Sequence, residues 1–371
     1  MKTILIAGGG TGGHVFPGIA VAQALLALAD VRVVFAGSPR GLETRIVPAY
    51  GFDLELLDVE PMKGGGVTRA LRGAFVAAKA MRSARKLVQR LRPAAILSVG
   101  GYSAGPAALA GVAARVPLAI LEPNSVLGFA NRLLSPFAKR AYVAWPETAR
   151  LFCGDKARTY GVPLRSDFLP RPYAPNDPVR ILVLGGSMGA KALNERLPGA
   201  ISKLTNVVVL HQAGRDRDAE VRAAYARLGI NATVVAFLDD VAEQMVQADL
   251  IVARAGAVTV AEIAAIGRPS LLIPFPYAAD DHQAKNAEAL AELGASICVR
   301  QEAADEARIA GELSSLIWSA DMREGMARKA REHGHPHAAH DLALDLLDLA
   351  KIPPTTSPAK TNVTPLRKEL S

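Results

Sequence analysis

The chain has 371 residues, of which half are hydrophobic and 21% are charged, and it contains two cysteines. This length predicts two domains, and Cys153 and Cys298 are too few for a disulfide framework or a cysteine-based metal site. The net charge of +8 is uneven, because the first 163 residues hold 20 Lys and Arg against 9 Asp and Glu. This imbalance indicates that the first half faces a polyanion or an anionic membrane surface.

Short apolar runs alternate with helical patterns in the first half, which predicts βαβ units and a parallel sheet. The predicted strands are Thr3–Ala7, Val31–Ala36, Ala95–Val99, Leu118–Leu121 and Ala141–Ala144. We interpret the opening run as a strand and not as a signal peptide, because its apolar residues stop at Gly8. No uninterrupted apolar run is long enough to span a bilayer.

The pattern changes after Pro163, where a proline-rich segment predicts a linker at 164–178. A second domain at 179–337 then restarts with a strand and a glycine-rich turn, as the first domain at 1–163 does. The predicted fold is α/β, with two doubly wound, Rossmann-like domains that face each other across a cleft. A helix at about 338–351 is expected to return to the first domain, and 352–371 is predicted to be a disordered tail.

Each domain has a glycine-rich turn between a strand and a helix, and we expect both turns to present free backbone N–H groups to an anion. Gly8, Gly10 and Gly13 also fit a dinucleotide fingerprint. The second strand, however, ends at Ser38 without an acid for a ribose, which disfavours a nicotinamide enzyme. His14 follows the turn. It is either a helix-start residue bonded to nearby backbone or, as we favour, a general base.

The richest cluster of polar and special residues lies between Arg254 and Ala287. Gly256 permits a close backbone approach, and Thr259 is expected to bond through its hydroxyl or to cap a helix. Glu262 lies one turn further on the same face and suits the two hydroxyls of a ribose, while Gln283 suits sugar hydroxyls. The alternative is a capped helix followed by a polar loop.

This run resembles the sugar-nucleotide signature of two-domain, GT-B type glycosyltransferases. The opening Gly9–Gly18 is similar to one family among them, the MurG family of peptidoglycan N-acetylglucosaminyltransferases. Further matches cover the chain from residue 4 to about 345: Gly100–Tyr102, Gly105–Pro106, Glu122–Asn124, Gly185–Ala190 and Phe237–Asp240. Three positions depart from the family pattern: Pro123, Val162 and Ala255.

The resemblance implies an inverting transfer of N-acetylglucosamine from UDP-N-acetylglucosamine to the MurNAc hydroxyl of undecaprenyl-linked lipid I, giving lipid II. His14 or Glu122 would take the hydroxyl proton, and no cofactor or metal is required. The donor contacts that it implies are Thr11, Gly12, Gly13, Asn124, Arg165, Ser187, Leu238, Ala257, Val258, Thr259, Val260, Ala261, Glu262 and Gln283. Alternatives are a UDP-N-acetylglucosamine epimerase, another GT-B glycosyltransferase with a lipid acceptor, and a noncatalytic sugar-nucleotide sensor.

Two weaker metal signals compete with this interpretation. Asp216 and Asp218 form a D-x-D string, but they are better explained as the start of a surface helix. The histidines between His333 and His340 lack the spacing of a defined metal site.

The segment Lys63–Arg92 holds nine Lys and Arg and no acid. From about Thr68 it predicts a helix with an apolar stripe at Ala74, Ala77, Met81, Ala84, Val88 and Leu91. Its basic residues include Lys79, Arg82, Lys86 and Arg90, and Val67, Leu71 and Phe75 would insert shallowly. A face of one charge sign predicts peripheral binding to the cytoplasmic face of the inner membrane. Nucleic acid is not an expected partner, whereas cell-wall synthesis proteins are candidates.

Overall fold

The computed structural model describes residues 1–59, 67–186 and 189–355, without the side chains of 67–75 and 77. It contains two compact units: Met1–Arg165 with the segment from His337 onward, and Ser166–Pro336. No helix within these described ranges is long and apolar enough to cross a bilayer.

Unit 1 is built on a parallel sheet of seven strands, in the order β3-β2-β1-β4-β5-β6-β7. The strands are β1 Lys2–Gly8, β2 Val31–Gly37, β3 Asp53–Leu56, β4 Ala95–Gly100, β5 Leu118–Glu122, β6 Arg140–Val143 and β7 Ala157–Thr159. The helices are α1 Gly12–Leu28, α2 Glu43–Ala49, α3 Val67–Leu91, α4 Ala104–Ala113, α5 Phe129–Leu134 and α6 Pro146–Ala149. The five predicted strands are therefore present. β3 and β7 were not predicted; both strands are short and lie at the sheet edges.

Helices cover both faces of this sheet, as the continuous apolar strands require. Side chains alternate between the faces, so that Ile4 and Ile6 of β1 pack on the α1 side and Leu5 on the other. The α3–α4–α5 layer contributes Ala84 and Val88 to the second face, together with Ala80, Leu87, Ala107 and Leu134. The predicted stripe on α3 is thus buried at Ala84 and Val88, and its Ala74 and Ala77 side chains lie outside the described residues.

The C-terminal helix α14, Ala338–Leu349, packs on α1 and belongs to unit 1. Its Asp345 accepts hydrogen bonds from the Tyr142 hydroxyl at 2.8 Å and from Arg140 Nε at 3.1 Å. Ile352 is buried in the same core, and the Thr355 amide donates to the Leu28 carbonyl. The tail predicted to be disordered from Ile352 is therefore ordered as far as Thr355, because these residues complete the core around α1.

Unit 2 repeats the architecture with a parallel sheet in the order β10-β9-β8-β11-β12-β13. Its strands are β8 Val179–Leu184, β9 Val207–Gln212, β10 Ala232–Val235, β11 Leu250–Ala253, β12 Ser270–Leu272 and β13 Ile297–Cys298. Its helices are α7 Lys191–Ile201, α8 Asp218–Arg227, α9 Val241–Gln247, α10 Ala257–Ile266, α11 His282–Glu292, α12 Glu306–Trp318 and α13 Ala320–Glu332.

Much of the segment 164–178, which was predicted as a linker, is bonded to unit 2. The buried Asp249 carboxylate accepts the Asn176 amide at 2.9 Å and the Tyr173 hydroxyl at 3.2 Å. The buried guanidinium of Arg268 donates to the carbonyls of Arg171 and Pro172. Unit 1 accordingly ends at Arg165, and unit 2 begins at Ser166.

Candidate functional site

Each sheet has one point where the order of its strands reverses. The chain adds β2 and β3 on one side of β1 and then returns to place β4 on the other side, and β8 and β11 repeat this arrangement in unit 2. Ligands of doubly wound sheets bind at the carboxyl ends of the strands that flank such a point. The glycine-rich turns after β1, β4 and β8 and the run after β11 all lie at these ends.

In unit 1, two loops fix His14 in the first turn of α1. The Thr11 hydroxyl lies 3.1 Å from Nδ1 of His14. The other side of the ring faces the loop after β4, since a Cβ added to Gly100 would lie 3.1 Å from Nε2 of His14. The imidazole is half-buried, and its bond to the Thr11 hydroxyl fixes its direction, as a proton acceptor requires.

Glu43 is a site residue that the sequence analysis missed. It opens α2 after the second strand, is almost fully buried, and accepts the Gly10 N–H at 2.6 Å. The N–H of Gly10 is therefore bonded within the protein and is not among the N–H groups that the first glycine turn presents to a ligand. In the sequence, Glu43 is a single acid five residues after Ser38. A search for a ribose-binding acid directly at the end of the strand does not include this position.

Glu122, proposed as an alternative base, is the centre of a hydrogen-bond network at the end of β5. One carboxylate oxygen accepts the Asn124 amide at 3.1 Å and its side-chain Nδ2 at 3.0 Å. The other accepts the Gly128 amide at 2.8 Å and Nδ2 of Asn131 at 3.1 Å. Four donors on a buried carboxylate favour a role in holding the loop and the start of α5, because little of it remains to receive a proton from a ligand.

Arg165, an implied donor contact, lies within unit 1 beside α1. Its guanidinium carbon sits 5.5 Å from the ring centroid of Phe16, and Nη1 is 3.5 Å from the Tyr50 hydroxyl. Arg165 therefore lies near the helix that carries His14, while Thr11, Gly12 and Gly13 form the start of that helix.

In unit 2 the implied donor residues Ala257 to Glu262 occupy the first turns of α10. Gly256, not Thr259, takes the cap position, so the cap residue itself has no side chain to bond the helix start. A Cβ added to Gly256 would meet no described atom within 4 Å, and its φ of −62° is ordinary for any residue. The fold of unit 2 therefore does not itself require glycine at 256.

The implied donor residues of α10 lie partly on its buried side and partly on its accessible side. Val260 is buried in unit 2, whereas Thr259 and Glu262 are half-buried. Ala257 is also buried, and Val258 and Ala261 are partly accessible. The helix thus keeps its threonine hydroxyl and its carboxylate on a side that solvent reaches.

Gln283, in the first turn of α11, accepts the Phe275 N–H through Oε1 at 3.1 Å. This bond directs the two amide donors of Gln283 to other partners. Arg254 stabilises the same loop by donating hydrogen bonds to the carbonyls of Ile273 and Pro274. Burial lowers the pKa of Arg254 to about 10.

The second glycine turn is described at Gly185, Gly186 and Gly189, while the implied donor contact Ser187 lies outside the described residues. Gly186 has φ +76°, and a Cβ there would meet no atom within 4 Å in the described ranges. Leu238 follows β10 and lines one wall of a cavity of about 410 Å³ formed by β8, β9, β10 and α9.

The competing metal signals do not converge. Asp218 opens α8 and pairs with Arg222, and His340 lies 3.2 Å from Asp341. Among the residues that the structure describes, no group of three or more His, Cys, Asp or Glu is arranged to hold a metal ion.

Both units match a known glycosyltransferase family. Residues 4–143 match the glycosyltransferase family 28 N-terminal domain, and residues 180–342 match its C-terminal domain. A protein from Sorangium cellulosum, named UDP-N-acetylglucosamine–N-acetylmuramyl-(pentapeptide) pyrophosphoryl-undecaprenol N-acetylglucosamine transferase, is 50% identical over 95% of this chain and 90% of its own length. The chain belongs to the MurG family.

Other comparisons agree with this membership. A MurG-family relative from Pseudomonas fluorescens with the same name is 40% identical over 94% of this chain and 98% of its own. The crystal structure of MurG from Acinetobacter baumannii superposes with a TM-score of 0.79 at 34% identity, covering 94% of this chain and 99% of that one. The two Rossmann-like units and the resemblance drawn from the motifs are thus confirmed.

An epimerase shares the fold only. The UDP-GlcNAc 2-epimerase from Neisseria meningitidis has a TM-score of 0.68, but it is 13% identical over 94% of this chain and all of its own. This likeness does not extend to activity, whereas the MurG-family relatives match at 39% identity and above.

The network around Glu122 leads to a test of its role. Glu122→Gln replaces one acceptor by a donor that faces N–H groups, so we expect unfolding free energy to fall by about 1–3 kcal/mol. Glu147→Gln, at an exposed glutamate of the same unit, serves as the control in thermal unfolding. A Glu122→Gln variant with normal stability and lost turnover would instead support Glu122 as the base.

Proposed function

We propose a division of roles in which α10 and the second glycine turn bind the donor and His14 accepts the proton. The chain is an N-acetylglucosaminyltransferase: it moves N-acetylglucosamine from UDP-N-acetylglucosamine to the MurNAc hydroxyl of undecaprenyl-linked lipid I and forms lipid II. The hydroxyl oxygen attacks the anomeric carbon while UDP leaves from the opposite face. A single displacement inverts the configuration, and the hydroxyl proton passes to His14.

The open N-terminal end of α10 is the observation that carries the donor assignment. Its cap residue, Gly256, has no side chain, and a Cβ placed there would meet none of the described atoms within 4 Å. A helix start with free N–H groups favours an anionic ligand, and a missing Cβ lets a backbone come close to it. Glu262 lies on the accessible side of the same helix and would accept hydrogen bonds from the ribose hydroxyls.

Gln283 and the second glycine turn complete this donor site. The two amide donors of Gln283 would bind hydroxyls of the transferred sugar. Gly186, and Ser187 beyond the described residues, would approach the diphosphate. Leu238 would bind the uracil through its backbone.

His14 is the preferred base because its ring is aimed by two loops at the strand edge. In the tautomer in which the Nδ1–H donates to the Thr11 hydroxyl, Nε2, beside Gly100, is the nitrogen that would receive the proton. Glu122 has a full set of described donors, which makes it the weaker candidate.

The donor site predicts separate effects on binding and folding. Gly256→Ala should weaken UDP-N-acetylglucosamine binding about tenfold or more, because a methyl would fill space intended for the ligand, while the melting temperature stays unchanged. Glu262→Ala should weaken binding by about 10- to 100-fold through the lost ribose contact. Calorimetric titration checks both, with the exposed Glu292→Ala on α11 as control. Normal affinity in both folded variants would remove α10 from the donor site.

The base assignment predicts that His14→Ala lowers turnover by about 10²- to 10⁴-fold and leaves donor affinity nearly unchanged. The assay uses labelled donor and a lipid I analogue across neutral pH, with and without a chelator. His340→Ala, at an exposed histidine of unit 1, is the matched control. Turnover within a few-fold of normal for His14→Ala would transfer the role to another residue.

We also propose that the α3–α4–α5 layer binds an anionic leaflet, which would place the protein at the cytoplasmic face of the inner membrane. The predicted basic face of α3 is smaller than expected, because Lys79 pairs with Asp58 at 2.7 Å and Arg90 with Glu55 at 2.8 Å. Arg82, Arg85 and Lys86 are exposed on the same helix. Arg69, Arg72, Val67, Leu71 and Phe75 belong to the side chains outside the described residues.

A neighbouring apolar patch strengthens this proposal. Phe129, Leu133 and Phe137 repeat every four residues along α5 and the turn after it, and they are 71%, 59% and 49% exposed. Arg132 and Lys139 interleave with them. An exposed aromatic and aliphatic row beside basic residues suits shallow insertion at a lipid headgroup surface.

Vesicle co-sedimentation tests this surface. Replacing Phe129, Leu133 and Phe137 by Ser should abolish most binding to anionic vesicles, and replacing Arg82, Arg85 and Lys86 by Gln should weaken binding in a salt-dependent manner. The control replaces the exposed Trp318 and Met322 of unit 2 by Ser. Equal binding of all variants, or undiminished binding to neutral vesicles at high salt, would contradict the proposal.

A further inference from the structure

A buried carboxylate lies beneath the first glycine turn. Glu43 is 1% exposed, and Oε2 accepts the Gly10 N–H at 2.6 Å. Oε1 accepts the Ser38 N–H at 2.8 Å and the Ser38 hydroxyl at 3.0 Å. The carboxylate therefore joins the loop after β1 to the loop after β2.

The surrounding backbone is shaped to admit this side chain. A Cβ added to Gly9, Gly37 or Gly41 would overlap with the Glu43 side chain in each case. Three glycines in three separate positions thus leave room for one carboxylate. Of these, Gly9 belongs to the turn that precedes His14.

A hydrogen-bond chain extends from Glu43 to the loop after β4. The Ser38 hydroxyl donates its proton to Glu43, so its oxygen must accept from the Tyr102 hydroxyl, which lies 3.0 Å away. Tyr102 is 36% exposed, and its ring lies 3.6 Å from the Cβ position of Gly10. The loops after β2, β1 and β4 are therefore linked through Glu43 and Ser38.

If the side chain at position 43 only filled space, an apolar residue would serve. A buried carboxylate is costly unless hydrogen bonds replace its hydration. The carboxylate provides direction: it turns the Gly10 N–H inward, to the protein, and fixes where α1 begins. In unit 2, by contrast, a Cβ on Gly186 would meet none of the atoms that the structure describes within 4 Å. The two glycine turns thus differ in what their surroundings leave free.

We propose that Glu43 is a positioning residue for the transfer reaction, which sets the first glycine turn so that His14 and Tyr102 are correctly placed and Gly10 does not bind a substrate phosphate. This proposal rests on the role of His14 given above. Glu43 acts through the turn and through Ser38, without touching the reacting atoms.

The test compares turnover with donor binding in Glu43→Gln. The glutamine keeps the size of the side chain, but it can place its own NH₂ group against the Gly10 N–H, where no hydrogen bond forms. We expect kcat to fall by about 10- to 10²-fold, as for a small displacement of a reacting group, with donor affinity within about twofold of normal. Because Tyr102→Phe breaks the same chain, the double variant should lose less than the product of the single effects. Glu147→Gln is the matched control.

Ser38→Ala provides a second variant should Glu43→Gln fail to fold, because it cuts the link to Tyr102 and leaves the carboxylate on Gly10. It should lower kcat less than Glu43→Gln and should show no further loss when combined with Tyr102→Phe. Normal kcat in folded Glu43→Gln, or strictly multiplicative effects with Tyr102→Phe, would overturn the proposal. If His14→Ala keeps its turnover, the base assignment fails, while the coupling of Glu43 to Tyr102 still decides the positioning role.

Discussion

The parallel ladder is the constraint on which the candidate sites depend. All strands of each sheet run in one direction, so the loops that follow them gather at a single edge, and the reversal of strand order opens a gap there. His14, Glu43 and Glu122 are far apart in sequence, yet all three lie at this edge of unit 1. His14 follows β1, Glu43 follows β2, and Glu122 is the last residue of β5. The same geometry in unit 2 brings Gly186 and Gly256 to the ends of β8 and β11.

Buried carboxylates organise the irregular segments of both units. Glu43, Glu122 and Asp249 are each nearly inaccessible, and each accepts backbone N–H groups together with side-chain donors. Loops cannot satisfy their own amides as helices and strands do, so an internal acceptor fixes their conformation. For this reason an acid near a functional edge is not necessarily a proton acceptor, and its hydrogen-bond partners must be considered first.

The units differ in what they leave open to a ligand. In unit 1, Glu43 takes the N–H of Gly10 in the first glycine turn, while Thr11, Gly13, His14 and Tyr102 stay at least partly accessible. In unit 2, a Cβ on Gly256 or Gly186 would meet no atom of the described residues within 4 Å, and Thr259 and Glu262 lie on a partly accessible side of α10. This difference agrees with a donor site in unit 2 and with proton transfer carried out by unit 1. The exposed row of Phe129, Leu133 and Phe137 is the surface of unit 1 that we propose to meet the lipid headgroups.

The amino-acid sequence alone was enough to predict the parallel α/β class, the five main strands of unit 1 and the family. These follow from local patterns, because buried strands need apolar runs and glycine turns carry distinct spacing. Three contacts could be known only from the folded chain: Glu43 fills the first turn, Glu122 is surrounded by four donors, and Lys79 is paired with Asp58. These contacts join residues from different loops, and pattern does not record which distant donor meets which acceptor. The three-residue strand β7 escaped prediction for the same reason: its pairing with β6 makes it a strand, and its own residues do not.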